Sequence, residues 1–127
     1  MTIEEKRKYA RLALRIDDGY FGNFKLDNNE QLVGPIVNIS AGGLNMAAPE
    51  KVAHQLKIGE RLLLLSIAGG ANFAFIQQIA AEIRWINKSD TPGYLSVGLE
   101  FLDLAETVRE QMAKFVSSER MSRGQYD

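Results

Sequence analysis

The chain has no cysteine, one histidine and three prolines in 127 residues. Without thiols there is no disulfide and no thiolate metal site, and a single imidazole leaves a transition-metal centre poorly supplied. That histidine, His54, falls in a connecting segment. Ser40 sits near glycine but lacks the strand-to-helix elbow of a nucleophile, and no other serine has a recognisable base and orienting group. The expectation is a protein without a catalytic centre. An excess of one charge is missing too, since 15 basic residues face 16 acidic ones for a formal net charge of −1. This removes the global positive field that holds DNA or RNA, and interleaved aromatic and basic residues, the mark of a general oligonucleotide binder, are lacking. Any anion site must be local.

Long apolar runs are scarce. Residues 62–81, LLLLSIAGGANFAFIQQIAA, carry no charge over a length that could span a bilayer. Gly69, Gly70 and Asn72 at the centre, with Ser66, Gln77 and Gln78, favour two β-runs joined by AGGAN instead. The N-terminus MTIEEKRKYARL has acidic residues where a signal peptide needs a basic start and an apolar core, so the chain reads as cytoplasmic.

What is present is an ordinary globular composition, 46% hydrophobic and 24% charged, which fits a single domain over residues 1–127 with one main site. Residues 1–10 read as a basic arm. From Arg11 the pattern alternates, with Leu12, Leu14 and Ile16 on one side, as in a half-buried strand. YFGNFKL and LVGPIVNIS form the next strands around a DNNEQ turn, Pro35 favouring an edge or a bulge. After the AGG turn come LNMAA, a connection PEKVAHQLKIGE with one helical turn, and the strands RLLLLSI, FAFIQQIAAEIRWI and YLSVGLEFL. The period then changes. Leu104, Val108, Met112, Phe115 and Val116 recur at helical spacing, and Asp103 with Glu106 suggests a capping box, so a helix is predicted over 103–118, with a fraying polar tail over 119–127. The pattern predicts an all-β fold, an antiparallel barrel or sandwich spanning residues 11–102, with one C-terminal helix.

Two constellations could carry chemistry. Arg7 and Arg11 lie four apart, which aligns their guanidiniums in either a helix or a strand. Aligned like charges repel unless an anion sits between them, and the planar fork of arginine can grip phosphate oxygens in pairs or stack on and hydrogen-bond a guanine. Taken alone, the pair reads more simply as a solvated basic arm, with Lys6, Lys8 and Arg15 adding to the local field. In NISAGG, Asn38 and Ser40 leave one face of a strand end while Val37 and Ile39 point to the core. Gly42 and Gly43 then permit positive φ and close approach of a ligand to the backbone. A plain strand-ending turn would look the same. Trp85 reads as a packing residue, and Glu82 with Arg84 as a solvated face.

Together, Arg7-x-x-x-Arg11 and Asn38-x-Ser40-x-x-Gly43 resemble the RxxxR and (D/N)xSxxG pair of the PilZ domain, the bacterial receptor module for cyclic di-GMP. VNISAGGL, KIGERLLLLSI, AEIRWI and YLSVGLEFLDL continue the likeness in order over residues 6–118. The resemblance implies a six-stranded antiparallel split β-barrel with a C-terminal helix, whose N-terminal arm folds over the nucleotide. Arg7 and Arg11 would hold phosphates and guanines, Asn38 and Ser40 would hydrogen-bond base or phosphate, and Gly43 would give the close backbone turn. Lys6 and Gly42 would support them. No cofactor or metal is implied. The expected output runs through a separate protein partner or self-association, with a homodimer open because the strands over 61–67 and 73–81 are so apolar. The competing expectation is a PilZ-like adaptor that engages proteins without binding the nucleotide.

Overall fold

The computed structural model describes residues 9–69 and 73–125. The arm residues Lys6 and Arg7, and the middle of the AGGAN turn, lie outside the described residues. The strands are β1 (Leu12–Ala13), β2 (Phe21–Lys25), β3 (Gln31–Ile39), β4 (Gly43–Pro49), β5 (Arg61–Ala68), β6 (Ile79–Lys88) and β7 (Tyr94–Phe101). A helical turn α1 (Glu50–Ala53) follows β4, and α2 (Glu106–Ser122) closes the order. All pairings are antiparallel. The seven-stranded order β1-β3-β2-β5-β6-β7-β4 returns to its start because β4 also pairs with β3. Strands β2 to β7 thus form the expected six-stranded barrel, and β1 is an extra strand laid on β3. Closure leaves the barrel proper without an unpaired edge.

Alternating apolar residues fill the barrel: Phe24, Ile36, Ile39, Met46, Leu64, Ile83 and Val97 are almost completely buried. The helical stripe behaves as its spacing predicts. Met112 and Val116 are buried on the core, with Leu104, Val108 and Phe115 packed partly against it.

Several expectations need correction. The first strand lasts two residues, because Ile16 enters a 3₁₀ turn (Ile16–Asp18) and stays exposed. FAFIQQIAAEIRWI is a strand only from Ile79. β5 pairs with β6 over Arg61–Leu64, and its later residues pair with β2 instead. Phe73 and Ile76 are free to turn inward and are buried, Phe73 lying 4.4 Å from Phe115 and 5.6 Å edge-on from Tyr20 between ring centroids. Pro35 fits its expected place: it pairs with Phe21 on the β2 side, while on its other side the β4 ladder starts only at Ile36, next to a bulge. Its missing N–H costs no ladder bond there, since Ile36 donates to Tyr20 on the β2 side and the β4 ladder begins at Ile36 with Met46. Asp103 does not cap α2: it adopts φ of 50°, and the N-cap is Ala105.

The polar tail does not fray over its described length. α2 runs to Ser122, and the Gln125 side-chain amide then pairs with Ala13 of β1, donating to its carbonyl at 3.0 Å and accepting from its N–H at 2.9 Å. Beside it, Asp18 accepts from the Arg15 N–H at 2.7 Å and from Arg123 at 3.1 Å. The Arg15 backbone bond, helped by Arg123, holds the Asp18 carboxyl below its ordinary value against the opposing effect of desolvation. A carboxyl lowered on folding stabilises the native state fully above its unfolded value, about 3.9, and loses that contribution as pH falls through the lower folded value. Asp18→Asn should therefore reduce the drop in unfolding midpoint between pH 6 and pH 2.5, as measured by thermal denaturation; an unchanged drop would count against this linkage.

Candidate functional site

Beside the end of β3 a groove of about 220 Å³ opens on the outer barrel face. Its floor is one cross-strand row, Asn38 on β3 opposite Asn45 on β4, Asn45 opposite Gly98 on β7, and Gly98 opposite Trp85 on β6. Ser40, Gly42 and Gly43 of the NISAGG turn, Glu100, Arg84, Tyr9 and Arg11 complete the lining, with the Tyr9 ring against Gly42. Four expected residues, Arg11, Asn38, Ser40 and Gly43, thus line one concavity together with Gly42. Arg7 and Lys6 lie outside the described residues.

Two bulges aim the floor. In β3 the register shifts between Ile36 and Asn38, so Val37 is the extra residue. Ile36 and Ile39 take the core positions, and Val37 is only half-buried, contrary to strict alternation. In β6 the register shifts between Ile83 and Trp85, making Arg84 the extra residue. Without that shift Trp85 would share the inward face of Ile79, Ala81 and Ile83. With it, the indole lies outside over Gly98, where any Cβ would collide with the ring. Bulges of this kind re-aim side chains at sites. Trp85 and Arg84 are the site residues that alternation alone misses, whereas Asn45 follows from the alternation of Leu44 and Met46. The Trp85–Gly98 pairing, given a known register, could have revealed the bulge that places both.

The turn is built by local hydrogen bonds. Ser40 Oγ accepts from the Gly42 N–H at 3.0 Å and lies 3.4 Å from the Gly43 carbonyl, which also accepts from the Ser40 N–H at 2.8 Å. Ser40 is buried, so its hydroxyl first fixes the turn's shape. Neither Gly42 nor Gly43 adopts positive φ, which corrects the expected reason for them. They are needed for proximity: a Cβ on Gly42 would lie 2.8 Å from the Tyr9 ring, and one on Gly43 would strike the Leu99 carbonyl.

The charges across the groove are mixed. Arg84 reaches Glu100 at 3.2 Å and Glu82 at 3.4 Å, so Glu100 in the lining is paired with a cation. Arg15 instead turns to Asp17 at 3.3 Å. Facing groups therefore offer a guanidinium at Arg11, amides at Asn38 and Asn45, and an aromatic face at Trp85, a set suited to a flat, anionic, hydrogen-bonding molecule. Among the described residues no cluster of three His, Asp or Glu is placed to share a metal ion, and no helix is long and apolar enough to cross a membrane.

The fold recurs in solved structures. The PilZ domain with c-di-GMP of YcgR from Escherichia coli superposes with a TM-score of 0.74 at 22% identity, covering 95% of this chain and 97% of that one. The K. pneumonia MrkH–c-di-GMP complex gives 0.75 at 13% identity over 97% of this chain and 56% of that one. The Bacillus subtilis inhibitor of motility (MotI/DgrA) gives 0.70 at 19% identity over 94% and 53%. This chain thus spans about half the length of the latter two. No curated protein matches it. The model of the PilZ domain matches residues 5–118, which is most of the sequence, and the chain belongs to the PilZ domain family, a family of non-catalytic receptor modules for cyclic di-GMP.

Proposed function

We propose that this chain is a cyclic di-GMP receptor that takes the nucleotide in the groove, orders its N-terminal arm over it, and passes the occupancy to a separate protein in the cytoplasm. The observation that carries the reading is the convergence of two motifs distant in sequence. Arg11 from one, and Asn38, Ser40 and Gly43 from the other, line the same small groove.

Each residue has a role its chemistry suits. Arg11, with Arg7 from the arm, grips phosphate oxygens or a guanine edge through paired N–H donors. Asn38 and Asn45 offer amide donors and acceptors to a base. Ser40 and Gly43 shape the turn that lets the ligand approach the backbone. Trp85 gives a base a face to stack on, worth about 1–3 kcal/mol per base. At about 220 Å³ the groove is smaller than a pocket that encloses a ligand of that size, typically about 300–1,000 Å³. The nucleotide would rest half on the floor, leaving its other side for Arg7 and Lys6.

Calorimetric titration with cyclic di-GMP, cyclic di-AMP and GTP tests the reading. Cyclic di-GMP should bind with micromolar or tighter affinity and quench Trp85, the single tryptophan, while the other two should bind far more weakly. Absence of both heat and quenching with cyclic di-GMP at high micromolar concentration would replace this reading with that of an adaptor that engages proteins alone.

A further inference from the structure

Arg11 has an anchored neighbour two residues away on each side; one anchor comes from α2 and the other from the turn that follows it. On one side Tyr9 carries the guanidinium of Arg109 over its ring, 5.2 Å from the centroid, while its own ring lies against Gly42. On the other side the backbone of Ala13 is held through both its N–H and its carbonyl by Gln125. Arg109 has a second task. It donates to the carbonyl of Ala41 at 2.9 Å, inside the NISAGG turn. One guanidinium therefore touches both halves of the site and does not itself line the groove.

Gln125 is itself fixed. Its N–H donates to the Arg120 carbonyl at 2.7 Å, and its own carbonyl accepts from Arg120 Nε at 3.0 Å. The amide is thus presented to β1 by a folded-back helix end and is not a loose tail contact. β1 contributes only two residues to the sheet, with Leu12 opposite Ile39 and Ala13 opposite Asn38. So short a strand cannot by itself fix the angle at which Arg11 leaves the barrel, and ordering an arginine costs up to about 2 kcal/mol of side-chain entropy alone. Contacts that preset the backbone on both sides lower what the ligand must supply.

We infer that Arg109 and Gln125 are positioning residues, and that α2, with the turn folded back at its end, is a two-point brace holding Arg11 in register with the NISAGG turn. The inference rests on the receptor reading for its effect on affinity. The brace has a further consequence: whatever displaces α2 changes the affinity for the nucleotide, and the nucleotide in turn biases α2 by the same factor.

Arg109→Met keeps the apolar stem but removes the charge and every donor, and Gln125→Ala removes the second anchor. Arg109→Met should weaken cyclic di-GMP binding roughly tenfold, within the range of about 5- to 150-fold typical of coupling between sites, and Gln125→Ala roughly threefold, just below it. Adding Tyr9→Leu to Arg109→Met should cost less than the sum of the two single losses, because the two changes share the contact between the Arg109 guanidinium and the Tyr9 ring. Phe115→Leu, on the Phe73 side of α2, should lower the unfolding midpoint but leave the affinity as in the wild type. Unchanged affinity in Arg109→Met beside a binding wild type overturns the brace, as does an equal loss in Phe115→Leu. Amide exchange in the ligand-free protein separates this from failure of the receptor reading. Residues 10–13 and 41–43 should exchange faster in Arg109→Met whether or not the wild type binds, and unchanged exchange overturns the brace on its own. Should Arg109→Met fail to fold, Arg109→Lys and Gln125→Ala carry both measurements.

Discussion

Replacing Arg11 by alanine should reduce cyclic di-GMP affinity by roughly thirtyfold to several thousandfold while leaving the unfolding midpoint nearly unchanged. The size follows from losing one side of a charge-assisted pair, about 2–5 kcal/mol, from a total of about −8 kcal/mol for micromolar binding. The lack of a stability effect follows from position. Arg11 is exposed and precedes β1, so truncating it opens no cavity in the barrel. Arg11→Lys should recover only a small part of the loss, because an ammonium keeps the charge but not the paired donors. Arg7→Ala should behave like Arg11→Ala, since the same chemistry is assigned to the arm. Calorimetry and thermal denaturation on the same samples check this. Full affinity in Arg11→Ala would remove Arg11 from the site, and a collapse of the midpoint would mean that its role is structural.

The legible parts of this protein are those governed by local periodicity. Leu12 and Leu14, Leu62 and Leu64, and Ile79, Ala81 and Ile83 alternate into the core, and Met112 and Val116 recur at helical spacing. Those patterns were sufficient to read a barrel with a terminal helix. The motif residues were legible for another reason: their identities carry chemistry, and close approach in a turn demands glycine whichever backbone angle it adopts. What could not be read was any feature that depends on a change of parity. The extra residues Val37 and Arg84 invert the facing of everything after them, and nothing local in PIVNIS or EIRWI announces a bulge. Trp85 therefore looked like a packing residue, when it both packs on Gly98 and floors the groove. Residues 73–78 misled for a related reason. Phe73 and Ile76 are buried without pairing in a sheet, Phe73 against the rings of Tyr20 and Phe115. The tail misled because its polarity was taken as a sign of solvent, whereas Gln125, Arg123 and Arg120 use that polarity to bind backbone and carboxylate groups.

Gly43→Ala should be the most disruptive single-methyl change in the site, lowering both stability and affinity. The added Cβ would run into the carbonyl oxygen of Leu99 and lie 3.1 Å from the Cα of Glu100, both backbone groups of β7 that cannot rotate away. β4 would have to move off β7 at its first pair, Gly43 with Glu100. That movement strains two bonds of the turn, the Ser40 N–H to the Gly43 carbonyl at 2.8 Å and the Phe101 N–H to the Gly42 carbonyl at 2.9 Å. Overpacking of this kind costs about 1–3 kcal/mol. For a chain of this length each kcal/mol is worth about 3–6 °C in the unfolding midpoint, so a fall of about 5–15 °C is expected. Gly42→Ala makes the contrast. Its Cβ meets the Tyr9 ring, a side chain on the arm that can yield, so affinity should fall with much less loss of stability. Thermal denaturation of the two variants separates these cases. A midpoint for Gly43→Ala within about 2 °C of the wild type, well under the shift expected for 1 kcal/mol, would show that the β4–β7 contact is not as close as described. If instead Gly43→Ala melts early while Gly42→Ala melts normally and binds weakly, the two glycines have separable duties: one holds the barrel shut beneath the site, and the other seats the arm above it.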